Sequence, residues 1–433
     1  SDLVKLVNSI PPLGLGFAPG LDLPFSPELH YSDSDEFLCC TFMPKLRDVL
    51  TKVYDLCKAR GFVFERSFNL AEGNSIALDY GPLGIEIKRG LLNEWWHEIV
   101  TSRENVHGIE LGWPYLCKQS IVGETDWTPF YKCKHMSDYL SSIYHYACEL
   151  MEIHGKDSSA GLAQSLTFVQ NGNDGNDKFM FRSQKKEFYK LIFFCPPNKV
   201  NYWMDFWMRK RLSWWKKYAD IPAEFSLVEK DCRKQFLQDP NDTLSDTMVV
   251  QFNFPWGAEA IECISSYTDV KKLIKNGSHE DEYLGLVLAT VSVERGILAY
   301  LLDAYNENEY FDTKGVQATH SKLRLHPALA PVKVAIFSRN ALNTDSGRVA
   351  RQLANELRQA GVTCQYLEVE KSCAEPDAYI WQQDEIGTPY TVIVQDSTLT
   401  NGIVTLRNRD TTLSEFLHIS EILKTVQRHL DAF

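Results

Sequence analysis

The sequence predicts an α+β protein of two domains, a larger first domain followed by a compact α/β domain with a mixed sheet flanked by helices. Three observations carry this. The 433 residues exceed the size at which one hydrophobic core stops growing. Hydrophobic residues make up 44% and charged residues 24%, the balance of a globular chain, with no low-complexity tract or long-period repeat. Beyond residue 322 a buried strand, an amphipathic helix and two further strands alternate, which is the pattern of a sheet covered by helices.

The elements follow in chain order. Residues 1–40 are rich in Pro and Gly (Pro11, Pro12, Pro19, Pro24, Pro27) and read as an extended arm, whose Leu13, Leu15, Phe17, Leu21 and Phe25 give it apolar points of attachment. The first domain is expected over 41–305. It opens with a helix from Pro44 to Arg60, marked by Leu46, Val49, Leu50, Val53 and Leu56 at spacings of three and four, and a strand from Phe62 to Phe68. An insertion is expected at about 111–175. Within it Met136, Leu140, Ile143, Ala147 and Leu150 form a single helical seam, read either as packing on the same domain or as a helix shared between two subunits. Gln170 to Lys178 reads as an exposed loop. Polar residues 306–322 read as a linker, and 323–433 as the second domain. There Val332–Phe337 is a strand, and Gly347–Ala360 a helix buried through Val349, Leu353 and Leu357 and ended by Gly361. Val362–Leu367 and Tyr390–Val394 are further strands, and Asn401-Gly402 predicts a hairpin turn into a strand at Ile403–Leu406.

Composition excludes several functions. The longest apolar runs, such as Leu284–Val291, fall far short of the roughly 20 residues that span a bilayer, so no membrane anchor is expected. Ser1–Pro12 does not read as a presequence or a signal. Eleven cysteines without a Cys-x-x-Cys pair predict reduced thiols, as in the cytosol or the mitochondrial matrix; Cys133 with His135 is half a metal site at best, so neither metal nor cofactor is expected. A net charge of −12 confines any nucleic-acid contact to a local basic patch.

Specific motifs point to a family. Leu78–Trp96, LDYGPLGIEIKRGLLNEWW, resembles the segment of class II glycyl-tRNA synthetases that builds their dimer interface. Its Gly81, Pro82 and Gly84 make a tight turn, after which Ile85, Lys88, Leu92 and Trp95 or Trp96 share a helix face. Glu385–Val394 and Thr398–Ser420 resemble the anticodon-binding domain of the same enzymes. The blocks Asn201–Asp220, Phe252–Glu262, Val291–Tyr305 and Leu323–Ile336 resemble a non-catalytic branch of that family, the accessory subunits of mitochondrial DNA polymerase gamma. The resemblance spans most of residues 60–433 apart from the insertion. It implies a class II synthetase-like core, an antiparallel sheet with helices, followed by an anticodon-binding-like domain.

Adenylate formation needs arginines to clamp ATP phosphates. The expected Arg-Glu-Phe maps to Lys186, Glu187 and Phe188, and its partner strand with Arg-x-Glu is replaced by the loop around Gly172–Asp177. The expected Gly-x-Gly-x-x-Arg maps to Val291, Ser292, Val293, Glu294 and Arg295, with β-branched residues where backbone should approach the nucleotide. Arg295 then reads as an ion-pair partner, with Glu262 as candidate. No P-loop, Gly-x-Ser-x-Gly, His-Glu-x-x-His or polymerase aspartate cluster is present, and Leu-His-Pro at His326 reads as a turn. No catalytic residue and no cofactor are expected.

The partner expectations follow from the resemblance. The second domain would grip the catalytic subunit of mitochondrial DNA polymerase gamma through Gly402, Arg407, Arg409, Asp410, Thr411 and Thr412, raising processivity in the matrix nucleoid. Read from the residues, Arg407 and Arg409 project at a strand end that is either a solvated edge or a recognition surface. The helix at Asn201–Asp220 places Trp203, Phe206, Trp207, Trp214 and Tyr218 on one face. Its basic residues Arg209, Lys210, Arg211, Lys216 and Lys217 are candidates for duplex or primer-template DNA, against the plainer reading of a solvated helix exterior. The seam Met136, Leu140, Ile143, Ala147 and Leu150 is the dimer-interface candidate. Because the insertion is shorter than the paired helices of vertebrate members, a homodimer and a one-to-one complex both stay open. An active glycyl-tRNA synthetase and a tRNA-binding regulator are the competing readings.

Overall fold

The computed structural model describes residues 49–70, 73–110, 143, 146, 149, 159–169, 185–230, 247–268, 285–311, 317–338, 345–368 and 376–431. The arm, the loop at 170–178 and the seam residues Met136, Leu140, Ala147 and Leu150 lie outside them. Ile143, in a helix, is buried, while Tyr146 and Glu149 are exposed.

Helix α1 covers 49–60 and buries Val53, Leu56 and Cys57. It turns through Gly61 into the hairpin β1 (Val63–Leu70) and β2 (Gly73–Tyr80). Gly81 then starts α2 (Pro82–Trp96) with proline in its first turn, where the missing N–H costs nothing. A Cβ at Gly84 would lie 2.1 Å from the Phe62 carbonyl oxygen, so only glycine lets α2 seat against the end of α1. The buried face of α2 is Gly84, Ile87, Leu91 and Trp95. Ile85, expected on that face, is exposed, because the seating of Gly84 fixes the helix rotation.

A seven-stranded sheet follows, in the order β3-β4-β5-β9-β8-β7-β6. Its strands are β3 (Val106–Gly108), β4 (Ala160–Val169), β5 (Lys185–Cys195), β6 (Phe225–Glu229), β7 (Thr247–Phe254), β8 (Gly257–Tyr267) and β9 (Gly285–Ser292). Every pairing is antiparallel except β3 with β4. β4 lies within the stretch expected as an insertion, which must therefore end before Ala160: ten residues paired with β5 belong to the sheet. Helices α3 (Val200–Lys217) and α4 (Val293–Ala304) pack on one face. There Trp207, Trp214, Trp215, Phe225 and Tyr300 build the core, with Trp203 and Phe206 half-buried, as the aromatic stripe predicts.

The expected linker is an ordered hairpin, β10 (Tyr305–Phe311) with β11 (Gln317–Leu323). Its polar sequence suits a two-stranded ribbon wetted on its outer side, a pattern that reads as loop without its partner. The last domain is a five-stranded mixed sheet in the order β13-β12-β14-β15-β16. It comprises β12 (Val334–Ser338), β13 (Cys364–Glu368), β14 (Tyr390–Val394), β15 (Ile403–Asn408) and β16 (Ser414–His418). β13, β12 and β14 run parallel, and the β14–β15 and β15–β16 pairings are antiparallel. Helices α5 (Asp345–Gln359) and α7 (Ile422–Asp431) bury Leu353, Leu357, Ile422 and Val426 against one face, and α6 (Pro376–Ile386) covers Ala335 and Phe337 on the other. β14 and β15 are antiparallel neighbours as expected. Their connection is not a two-residue turn, however: a helical turn at Thr398–Asn401 intervenes, capped by Gly402 at φ +71°.

Candidate functional site: a closed pocket and an open sheet edge

At the place where phosphate-clamping groups are expected, several polar residues pair with one another. Lys88 of α2 forms an ion pair with Glu187 of β5, which also accepts from Ser165 Oγ at 3.1 Å. The Glu187 backbone N–H donates to Glu294 Oε1 at 2.9 Å. Arg295 donates to the Ala260 carbonyl at 3.0 Å and lies 3.5 Å from Glu259 Oε2. Its acidic neighbour is thus Glu259 and not Glu262, which is committed to Arg211. β4, the strand beside β5, reads AGLAQSLTFV and holds neither arginine nor glutamate. Both faces of the central strands are covered. Tyr189, Leu191 and Phe193 are buried under the helices. On the opposite face the register aligns Gln164, Lys190, Thr290 and Cys263 in one row, also buried, and β9 is buried at every residue.

Glu294 pays for this closure. Its Oε2, like the hydroxyls of Tyr80 and Tyr189, is buried without a hydrogen-bond partner. Desolvation therefore pushes its carboxyl up to about 7, against the backbone hydrogen bonds and Lys186, which favour ionisation. A raised carboxylate pKa means that stability is fully present below the unfolded value and is lost as pH rises through the folded one. Between pH 4.5 and 7 the fold should lose on the order of 3 kcal/mol at this residue. Glu294→Gln is expected to match wild type near pH 5 and exceed it at pH 8 in urea melts; an unchanged difference across that range would refute the burial argument.

The basic helix face is smaller than the sequence suggests. Arg209, Lys210 and Lys217 are exposed and Lys216 is half-buried, with Arg209 paired to Asp205 at 3.1 Å. Arg211 is no surface cation. Its side chain is 0% exposed and donates to Glu262 Oε1 at 2.7 Å, because position 211 falls on the side of α3 that meets β8.

Neither arginine of the expected partner surface projects. Arg407, its side chain 13% exposed, donates to both oxygens of Asp384 on α6 at 2.8 and 2.9 Å. Those donors and His320 hold the Asp384 carboxyl below its usual range against the opposing effect of burial. Arg409, 2% exposed, clasps Asp410 and donates to the carbonyls of Gly387 and Leu325 at 2.7 and 2.9 Å. The arginines turn inward because the acceptors they need lie under the strand ends. Thr411 and Thr412 are exposed, Thr412 at φ +59°, and the Asn408 side chain caps the turn by accepting from the N–H groups of Asp410 and Thr411. Gly402 packs against the His418 ring.

What the edge presents is apolar. β16 ends the sheet, and Phe416 on it and Leu413 just before it are 76% and 70% exposed; Leu399, in the helical turn before β15, is 47% exposed. Asp396, Asp410, Glu415 and Glu421 are exposed in the same stretch, as are His418 on β16 and Lys424 after it, while Arg407 and Arg409 turn inward. The sequence held a signal for this: Phe416 and Leu417 are adjacent on a strand, so when Leu417 faces the core Phe416 must face away.

An anticodon binding domain model matches residues 332–429. The mitochondrial DNA polymerase subunit gamma-2 of Xenopus laevis is 28% identical over 414 residues, covering 88% of this chain and 87% of its own. The bovine subunit is 26% identical, with 87% and 85% covered. The chain is similar in sequence to these polymerase subunits over most of its length. Glycine–tRNA ligase of Streptomyces coelicolor is also 28% identical, with 87% of this chain and 97% of the ligase covered. Giardia lamblia prolyl-tRNA synthetase shares the fold, with a TM-score of 0.58 at 14% identity over 90% of this chain and 80% of its own. The first sheet is thus a synthetase-like core, and the second carries the anticodon-binding domain.

Proposed function

We propose that this chain is a non-catalytic accessory subunit that binds the catalytic subunit of mitochondrial DNA polymerase gamma in the matrix nucleoid and tightens its hold on primer-template DNA. The observation that carries the reading is the open β16 edge: exposed apolar anchors with an acidic rim, attached to a core whose nucleotide place is filled. Such an edge suits a protein surface with basic flanks, and the rim repels phosphate, which disfavours tRNA on this side. Added contact area slows dissociation without bond making. Leu399, Leu413 and Phe416 take the central place, beside Asp410, Thr411 and Thr412. Arg209, Lys210, Lys216 and Lys217 are the DNA-facing candidates. Primer extension by the catalytic subunit on a long single-stranded template should give longer products per binding event when this chain is added; unchanged length would overturn the proposal.

The similarity to glycine–tRNA ligases keeps a second reading, an active ligase. The filled pocket speaks against it, and glycine-dependent pyrophosphate exchange above background would establish it. Sedimentation at micromolar concentration decides between a homodimer and a one-to-one complex.

A further inference from the structure

We propose that Arg407 and Arg409 are positioning residues, which set the angle of the anticodon-binding domain on the core and so the direction in which the β16 edge meets its partner. The proposal rests on the accessory-subunit reading and adds how the docking edge is aimed.

The two arginines sit where the domains join. Asp384, which takes the Arg407 fork, also lies 3.8 Å from His320 on β11, and the His320 ring tilts over Trp381 of α6 at 5.3 Å. α6, which Asp384 ties to β15, thus packs against β11 of the hairpin that leaves the core. Arg409 donates to the carbonyl of Leu325, in a segment expected in the second domain whose Leu323, Leu325 and Leu329 instead pack in the core cluster of the first sheet. One guanidinium thus joins Leu325, the end of α6 at Gly387 and Asp410 in the partner-facing turn. The packing is close here: Gly387 stands at φ +81°, and a Cβ on it would lie 2.8 Å from Leu325 Cδ1 and 3.3 Å from the Leu323 carbonyl oxygen. A third cation, Arg60 of α1, pairs with Glu385 of α6. Arginine suits this task because its planar fork fixes direction as well as distance. A sheet edge projecting from such a joint moves further than the joint itself, so a small loss of angle displaces Phe416 and Leu413 together.

The test uses the full chain, with affinity for the immobilised polymerase gamma catalytic subunit as one readout and amide exchange across α6 in the free chain as the other. Arg407→Glu is expected to weaken binding by about tenfold or more and to speed α6 exchange, since a buried carboxylate would face Asp384. Arg407→Glu combined with Asp384→Arg should bring both readouts back to within about threefold of wild type, because an internal clamp works with its charges exchanged whereas a contact with the partner does not. Restored exchange without restored binding would make Arg407 a contact residue and overturn the proposal, as would unchanged binding by the single variant despite faster exchange. If the exchanged pair does not fold, Arg407→Lys and Arg409→Lys serve, and across them affinity must fall as α6 exchange rises; independent movement overturns the proposal. Wild-type chain that fails to bind the catalytic subunit would sink the functional reading instead, while exchange in the free chain still reports whether the arginines hold α6.

Discussion

Arg211→Leu is expected to cost the folded chain about 3–5 kcal/mol, the loss that follows when a buried ion pair is broken on one side. Arg211 and Glu262 are both fully buried. Glu262 accepts from Arg211 Nε at 2.7 Å and from Trp215 Nε1 at 2.6 Å, and the guanidinium lies 4.4 Å from the Trp214 ring centre. Removing the arginine strands a carboxylate between α3 and β8 that still accepts from the Trp215 N–H. Adding Glu262→Gln should recover most of the loss, because the neutral amide keeps an acceptor for Trp215 and no charge remains to desolvate. The Nη1 and Nη2 groups of Arg211 have no hydrogen-bond partner, so the native pair is itself incompletely compensated and the double variant starts from a modest deficit. Urea denaturation followed by circular dichroism measures all three. A single variant within about 1 kcal/mol of wild type would show that the site relaxes or admits water.

Phe416→Ser and Leu413→Ser should each weaken binding to the polymerase catalytic subunit by about 2 kcal/mol, roughly thirtyfold, the scale of central apolar anchors in an interface. Both side chains are mostly exposed, at 76% and 70%, so the fold should change by no more than about 0.5 kcal/mol. This combination of lost binding and preserved melting separates them from Arg407 and Arg409, whose replacement disturbs the domain junction. Biolayer interferometry with the catalytic subunit, run beside thermal melts, reads both quantities. Two serine variants that bind and stimulate as wild type does would remove the β16 edge from the interface.

The strongest periodic signals translated directly into structure. The helix expected at Gly347–Ala360 is α5, with Leu353 and Leu357 buried, and Gly361 stands at φ +81° after it. The aromatic stripe of α3 builds the core. Local sequence failed where polarity has two meanings. The polar residues of β10 and β11 lie in a paired hairpin and not in an irregular linker. Arg211, Arg407 and Arg409 look like surface cations because a charge is normally solvated, and the acceptors that bury them, Glu262, Asp384 and the Leu325 carbonyl, are 51, 23 and 84 residues away in the chain.

By itself the sequence determined the α+β class, the anticodon-binding-like end and the aromatic core, since each is written in residue type at short spacing. The tertiary structure alone decided which cations face water, how the hairpin and α6 join the domains, and which apolar side chains are left over at the β16 edge. Those outcomes depend on strand register and on partners distant in the chain, and a charge or an exposed phenylalanine takes its meaning from what is packed beside it.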